Sequence, residues 1–303
     1  MLHILINAFS FLLTILLGYG LKQVGIFKRE DGQTVSKIFV YVTLPATFIV
    51  GMNGMSITAV TWGLIAIAII INLILVFSGY FFGKKLSAKN RGLLMFTTSS
   101  FNIGGFTIPF VQLFMPEAIA LVGMFDVGNA FMIIGGTPTM VDELVGEKKE
   151  RFSIAKTVAK LLRSPIFVAC FGMFTISLFN LSLPEGILPP LRFLATANSF
   201  LAMFTIGLFL RLELHKEGWS MVWKVLLTRY PLTITLAAVV YLFLPVSLFL
   251  RQILILCLLS PIGNLAIINA VDFGSDEGIC GLSGSLSIII SLIMMSITML
   301  FML

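Results

Sequence analysis

Residues 59–82, AVTWGLIAIAIIINLILVFSGYFF, form one apolar run without a charged side chain. The hydrocarbon core of a bilayer is roughly 30 Å thick and is crossed by about 20 helical residues, so this run has the length and chemistry of a lipid-spanning helix. The pattern recurs. Comparable stretches lie near 3–21, 34–51, 59–82, 93–115, 118–140, 165–183, 187–210, 225–247, 250–271 and 279–302. No water reaches the backbone at that depth, so each stretch must satisfy its own hydrogen bonds as a helix. The expected fold class is an all-α membrane protein with ten transmembrane helices. Composition agrees: 58% of the residues are hydrophobic and 11% charged, far from the balance of a soluble domain.

Charge placement predicts orientation. Lys22, Lys28, Arg29 and Lys37 fall in the first connection, Lys84, Lys85, Lys89 and Arg91 in the third. The fifth holds Lys148, Lys149, Arg151, Lys156, Lys160 and Arg163, and the seventh Arg211, Lys216 and Lys224. The exceptions are Arg192, Arg251 and Arg229. Basic connections face the cytoplasm, which places both termini on the outer side. The net charge of +6 therefore reads as membrane orientation, and nucleic acid is not an expected partner. The first stretch is preceded by no basic residue and is expected to be retained as a helix, not cleaved as a signal.

Several classes drop out. Two His and three Cys, with Cys170, Cys257 and Cys280 all in apolar stretches, offer neither a disulfide framework nor a metal site. GLSGS at 281–285 ends in Ser where a nucleophile elbow needs Gly, and no phosphate loop occurs. Neither an enzyme nor a cofactor is expected.

The chain divides at its centre into 1–141, a connector over 142–163, and 164–303. In FSIAKTVAKLLRSP, Ile154, Val158, Leu161 and Leu162 share one helical face and Lys156, Lys160 and Arg163 another. That suits a short helix on the inner membrane surface; a solvated linker is the alternative. Five spans per half force the second half to enter from the opposite side, giving two inverted five-helix repeats. FIVGM at 48–52 echoes FTIGL at 204–208, and RGLLMFTTSSFN at 91–102 echoes RQILILCLLSPI at 251–262.

NIGGFTIPF at 102–110 places Asn102, Gly104, Gly105 and Pro109 inside the fourth span. SPIGNLAIINA at 260–270 places Pro261, Gly263 and Asn264 inside the ninth. Pro removes a donor and clashes with the preceding turn, and Gly leaves helical geometry cheaply. Two interrupted helices at matching positions point to a substrate site near the midplane. Their bare amides and positive half-helix ends favour a carboxylate or other anion. Asp126, the acid well inside a span, is the candidate for binding a coupling proton or cation, and Asn129, one turn on, shares its face. Arg229 could clamp a carboxylate bidentately, but it precedes the apolar run 230–250, and snorkelling to the cytoplasmic end is the favoured expectation. Asn198, Ser199 and Thr97 to Ser100 are expected to bond between helices, and Gly278, Gly281 and Gly284 to serve close packing.

NIGGFTIP, with its Asn seven positions before Pro, resembles the fourth-span motif of the auxin efflux carrier family, and AMFTIGLFL at 202–210 its seventh-span signature. LPATF at 44–48, FDVGNAF at 125–131 and RSPIFVA at 163–169 are similar to segments of bacterial members, which are described as permeases for malate or malonate. The resemblance extends over the whole chain. It implies the fold of bile-acid symporters, with fourth and ninth spans crossing at their broken middles and spans one, two, six and seven and their neighbours dividing into a scaffold and a transport unit. It also implies elevator-like movement and cargo contact by Asn102, Pro109 and Pro261. The short central loop departs from the plant carriers. The expected protein is a secondary carrier of a small organic anion in the bacterial inner membrane. Proton coupling, sodium coupling and uniport stay open, as do a channel or sensor and a homodimeric assembly.

Overall fold

The computed structural model describes residues 2–146, 153–211 and 218–302. Among these every regular element is helical and there is no strand. The first half contains α1 (Leu2–Gln23), α2 (Arg29–Ile38), α3 (Leu44–Met52), α4 (Ala59–Phe82), α5 (Ala88–Thr98), α6 (Ile108–Phe114), α7 (Ile119–Phe131) and α8 (Thr137–Val145). After α9 (Ile154–Leu161) come α10 (Pro165–Leu178), α11 (Leu188–Thr196), α12 (Asn198–Phe209) and α13 (Trp219–Phe243). The chain ends with α14 (Leu248–Leu258), α15 (Asn264–Asp272) and α16 (Glu277–Met302).

Six helical stretches among the described residues are long and apolar enough to cross a membrane: Glu30–Met52, Ala59–Phe82, Pro116–Val145, Leu188–Phe209, Trp219–Phe243 and Glu277–Met302. Three shorter apolar helices, Ile103–Phe114, Pro165–Leu178 and Leu248–Leu258, accompany them. Large apolar side chains such as Phe9, Leu13, Trp62, Phe81, Leu227 and Phe243 are exposed, as the lipid-facing side of a membrane helix requires.

Proline shapes several of these helices in one recurring way. The wide π-helical turns Phe39–Thr43, Ile103–Thr107 and Met132–Gly136 lead directly into Leu44–Pro45, Ile108–Pro109 and Thr137–Pro138. A Pro lacks the N–H for the bond to the carbonyl four residues back and its ring crowds that carbonyl, so the preceding turn widens instead of ending the helix.

Packing sorts the helices into two groups. α1 lies along α12, while α2, α3 and the turn between them pack on α10, α11 and α12. Elsewhere α4 packs on α5 and α7, and α13 packs on α5, α14 and α16. The α1–α12 contact is close because both sides carry Gly: a Cβ on Gly18 would stand 2.5 Å from the Phe204 carbonyl oxygen. The two groups share a core in which Phe48, Phe101, Phe106, Phe110 and Phe125 are essentially fully buried.

In the connector, Thr157 and Leu161 of α9 are buried while Ile154, Val158 and Leu162 are exposed. Leu161 thus leaves the apolar face expected from spacing alone, because α9 packs through its Thr157–Leu161 side, with Thr157 against Gly135. Lys148, Lys149, Arg151 and Lys216, and the side chains of Arg29 and Lys156, lie outside the described residues and side chains.

Candidate functional site

The fourth expected stretch is interrupted between Thr98 and Ile103, and the ninth between Leu258 and Asn264. The two interruptions touch. The Asn102 N–H donates to the Pro261 carbonyl at 2.9 Å, and the Gly263 N–H donates to Ser100 Oγ at 3.4 Å. Each break is also tied to a helix of its own half. Asn129 on α7 donates from Nδ2 to the Phe101 carbonyl at 3.0 Å and accepts the Phe101 N–H on Oδ1 at 3.3 Å. On α16, Ser287 Oγ accepts the Ile262 N–H at 3.1 Å. Buried backbone groups freed by a break must find partners, and these side chains supply them.

Beside the crossing lies a cavity of about 1020 Å³. Asn102, Gly104, Gly105, Gly263 and Asn264 line it. The first amides of a helix have no intrahelical acceptor, and those of Ile103, Gly104, Gly105, Asn264 and Leu265 show no other acceptor among the described residues. Asn102 Nδ2 is buried without a hydrogen-bond partner, and so is the hydroxyl of Thr205 on the cavity wall. The wall therefore offers donors from two helix starts and one side-chain amide, the chemistry that accommodates an anion.

Asp126 and Asn129 line the same cavity. Asp126 Oδ1 accepts the Asn129 Nδ2 hydrogen bond at 2.9 Å. A Cβ built on Gly104 would stand 3.5 Å from Asp126 Oδ2, so only the bare Gly backbone separates the carboxyl from the start of the Ile103 turn. Among the described residues no Lys or Arg pairs with Asp126.

Two candidates stand elsewhere. Pro109 and Pro261 are not part of the cavity wall. Both present carbonyls to neighbours: Pro109 accepts from Ser199 Oγ at 3.0 Å, and Pro261 from Asn102. Asn198 Nδ2 donates to Gln112 Oε1 at 2.9 Å, joining α12 to α6, and Thr98 Oγ1 donates to the Leu75 carbonyl at 3.0 Å, both as interhelical bonds.

Arg229 overturns its expectation. It does not snorkel: its side chain is fully buried and bonds to backbone carbonyls of both breaks. The apolar run that follows it suggested a membrane end, but partial negative charge from two helix ends converges on its position and holds the guanidinium inside. Gly284 packs closely as expected, a Cβ there standing 3.4 Å from Ile267 Cγ1 of α15, and both Gly281 and Gly284 also line the cavity, as do Ser285 and Arg211. Small residues on α16 carried a signal for this, but spacing alone does not distinguish a packed face from a cavity wall.

At the cavity margin Arg211 Nη1 and Glu277 Oε1 form an ion pair at 3.1 Å, and the Arg211 N–H donates to Ser285 Oγ at 3.0 Å. Ser36, Ser164, Arg211, Asp272 and Glu277 all line the cavity. They flank odd-numbered connections, the side that carries the basic residues.

No family model matches the chain. It is similar to a protein of Methanocaldococcus jannaschii named as an uncharacterized transporter, MJ1031. The two are 27% identical over 224 residues, covering 70% of this chain and 71% of the archaeal protein.

Proposed function

We propose that this protein is a secondary carrier of a small organic anion, a mono- or dicarboxylate, held where the two interrupted helices cross. The observation that carries this reading is the cavity lined by residues of both half-helix starts, among them Asn102, whose buried side-chain amide has no hydrogen-bond partner. Its volume exceeds that of a small carboxylate and leaves room for accompanying water. Similarity to a named transporter supports the general class.

The reading treats residues 1–141 and 164–303 as inverted repeats. The packing pattern supports it: α4 contacts α5 and α7 in the first half as α13 contacts α14 and α16 in the second. The group built from α1, α2, α3, α10, α11 and α12 is the scaffold, and the other group moves against it as an elevator. The membrane is the bacterial inner membrane, both termini are outside, and the cavity opens to the cytoplasm.

Asp126 is the coupling group. An ionised carboxylate beside the half-helix amides would compete with an anionic cargo for the same donors, so protonation of Asp126 makes way for the anion. Cargo and proton then bind together and move in the same direction.

Counterflow in proteoliposomes tests the carrier. Unlabelled malonate, malate or succinate trapped inside should accelerate entry of the matching labelled acid; entry indifferent to internal substrate for every acid would instead describe a pore. For coupling, Asp126→Asn should retain counterflow and lose accumulation driven by an inward proton gradient. Undiminished accumulation would remove Asp126 from the mechanism.

A further inference from the structure

Arg229 on α13 is the fully buried basic side chain among the described residues, and it is not part of the cavity wall. Its Nη1 donates to the carbonyls of Thr97, at 2.5 Å, and Thr98, at 3.1 Å. Its Nη2 donates to the carbonyls of Ser260, at 2.9 Å, and Pro261, at 3.3 Å. The guanidinium carbon stands 5.1 Å from the centre of the Phe101 ring, and no carboxylate pairs with it among the described residues. One side chain therefore serves the ends of both interrupted helices.

The final carbonyls of a helix lack intrahelical donors and carry about half a negative charge in sum. Here the end of α5 and the segment that follows α14 meet at one buried side chain. Four carbonyl oxygens from two broken helices around one point of positive charge is an arrangement by which carriers of this general build hold a coupling cation. A guanidinium is always charged and is planar, with donors that diverge toward separate acceptors. The first half supplies no counterpart, since α4 has no charged residue.

We infer that Arg229 is a tethered cation occupying what would otherwise be a monovalent metal-ion site at the helix crossing, so that the crossing binds no free sodium or potassium. This deepens the carrier reading, on which it rests only for its consequence: a free metal ion at the crossing is not the coupling ion. The electrostatic role stands on the contacts alone.

Thermal unfolding of purified protein, followed by tryptophan fluorescence at equal concentrations of sodium, potassium or choline chloride, tests it. The wild type should unfold at the same temperature in all three salts. Arg229→Ala should lower Tm by roughly 10 °C. It should recover part of that loss in sodium or in low-millimolar guanidinium, relative to choline. Arg229→Lys keeps the charge but not the planar fork, so it should unfold between the alanine variant and the wild type and ignore the choice of salt. A wild-type Tm raised by sodium overturns the inference, as does Arg229→Ala with an undiminished Tm or with no response to either cation. Should the alanine variant not be recovered folded, Arg229→Lys decides, and a sodium-dependent Tm in that variant counts against the proposal. None of these measurements involves cargo, so failure of counterflow would remove the carrier and leave this result standing.

Discussion

Asn102 does two separate jobs at the crossing. Its main-chain N–H closes the contact between the breaks at Pro261, while its side-chain amide is buried beside the cavity without a partner. Substitution can separate them, because Asn102→Ala removes only the second. A hydrogen bond to a charged group contributes about 1.5–3 kcal/mol, so Asn102→Ala should weaken carboxylate binding by roughly ten- to a hundredfold, read by isothermal titration calorimetry. Tm should stay near wild type; unchanged affinity would remove Asn102 from the site. Asn102 was legible in the sequence because an amide inside an apolar run is costly unless it has a use. Arg229 was misread for a reason of the same kind. Its acceptors come from residues 97, 98, 260 and 261, far from it in the chain, and no local pattern around residue 229 announces them.

At the scale of elements, the interruptions are held in place by side chains on intact helices. Asn129 satisfies both backbone groups of Phe101, so Asn129→Ala leaves a buried donor and acceptor unpaired at about 1–3 kcal/mol each. Tm should fall by roughly 5–10 °C, and hydrogen exchange should rise over residues 99–103 before it rises in α7. Exchange that increases evenly along the chain would mean that Asn129 supports the fold at large and not the break. Sequence spacing placed Asn129 beside Asp126, one helical turn away, and the 2.9 Å bond between them agrees. It did not reveal the Phe101 contact, which depends on how α7 packs against an irregular segment. The π turns were invisible for a related reason. Pro109 was read as part of an interruption, whereas neighbouring helices hold the chain in register there, and before Pro45 and Pro138, and let a widened turn absorb the strain.

For the molecule as a whole, the cavity beside the crossing carries a prediction about access. Asn264 is exposed at the break and lines the cavity; Cys257 and Cys280 are buried away from it, and Cys170, buried but on the cavity wall, is replaced by Ala in the labelling background. In sided membrane vesicles, Asn264→Cys should react with a membrane-impermeant maleimide from the cytoplasmic face and be protected by millimolar malonate. Labelling from the outer face alone would reverse the proposed orientation. The sequence by itself determined the class of the protein: apolar runs longer than a membrane is thick leave the backbone little choice but helix, and the clustering of Asn, Gly and Pro marks where two of those helices cannot stay regular. Only the tertiary structure decided that the two interruptions meet, which of their residues face a cavity, and that one arginine is shared between their ends. Helix formation depends on contacts a few residues apart, which the order of residues encodes directly. The meeting of residue 102 with 261, or of 229 with 97, depends on how separate helices fill space together, and no short stretch of sequence carries that.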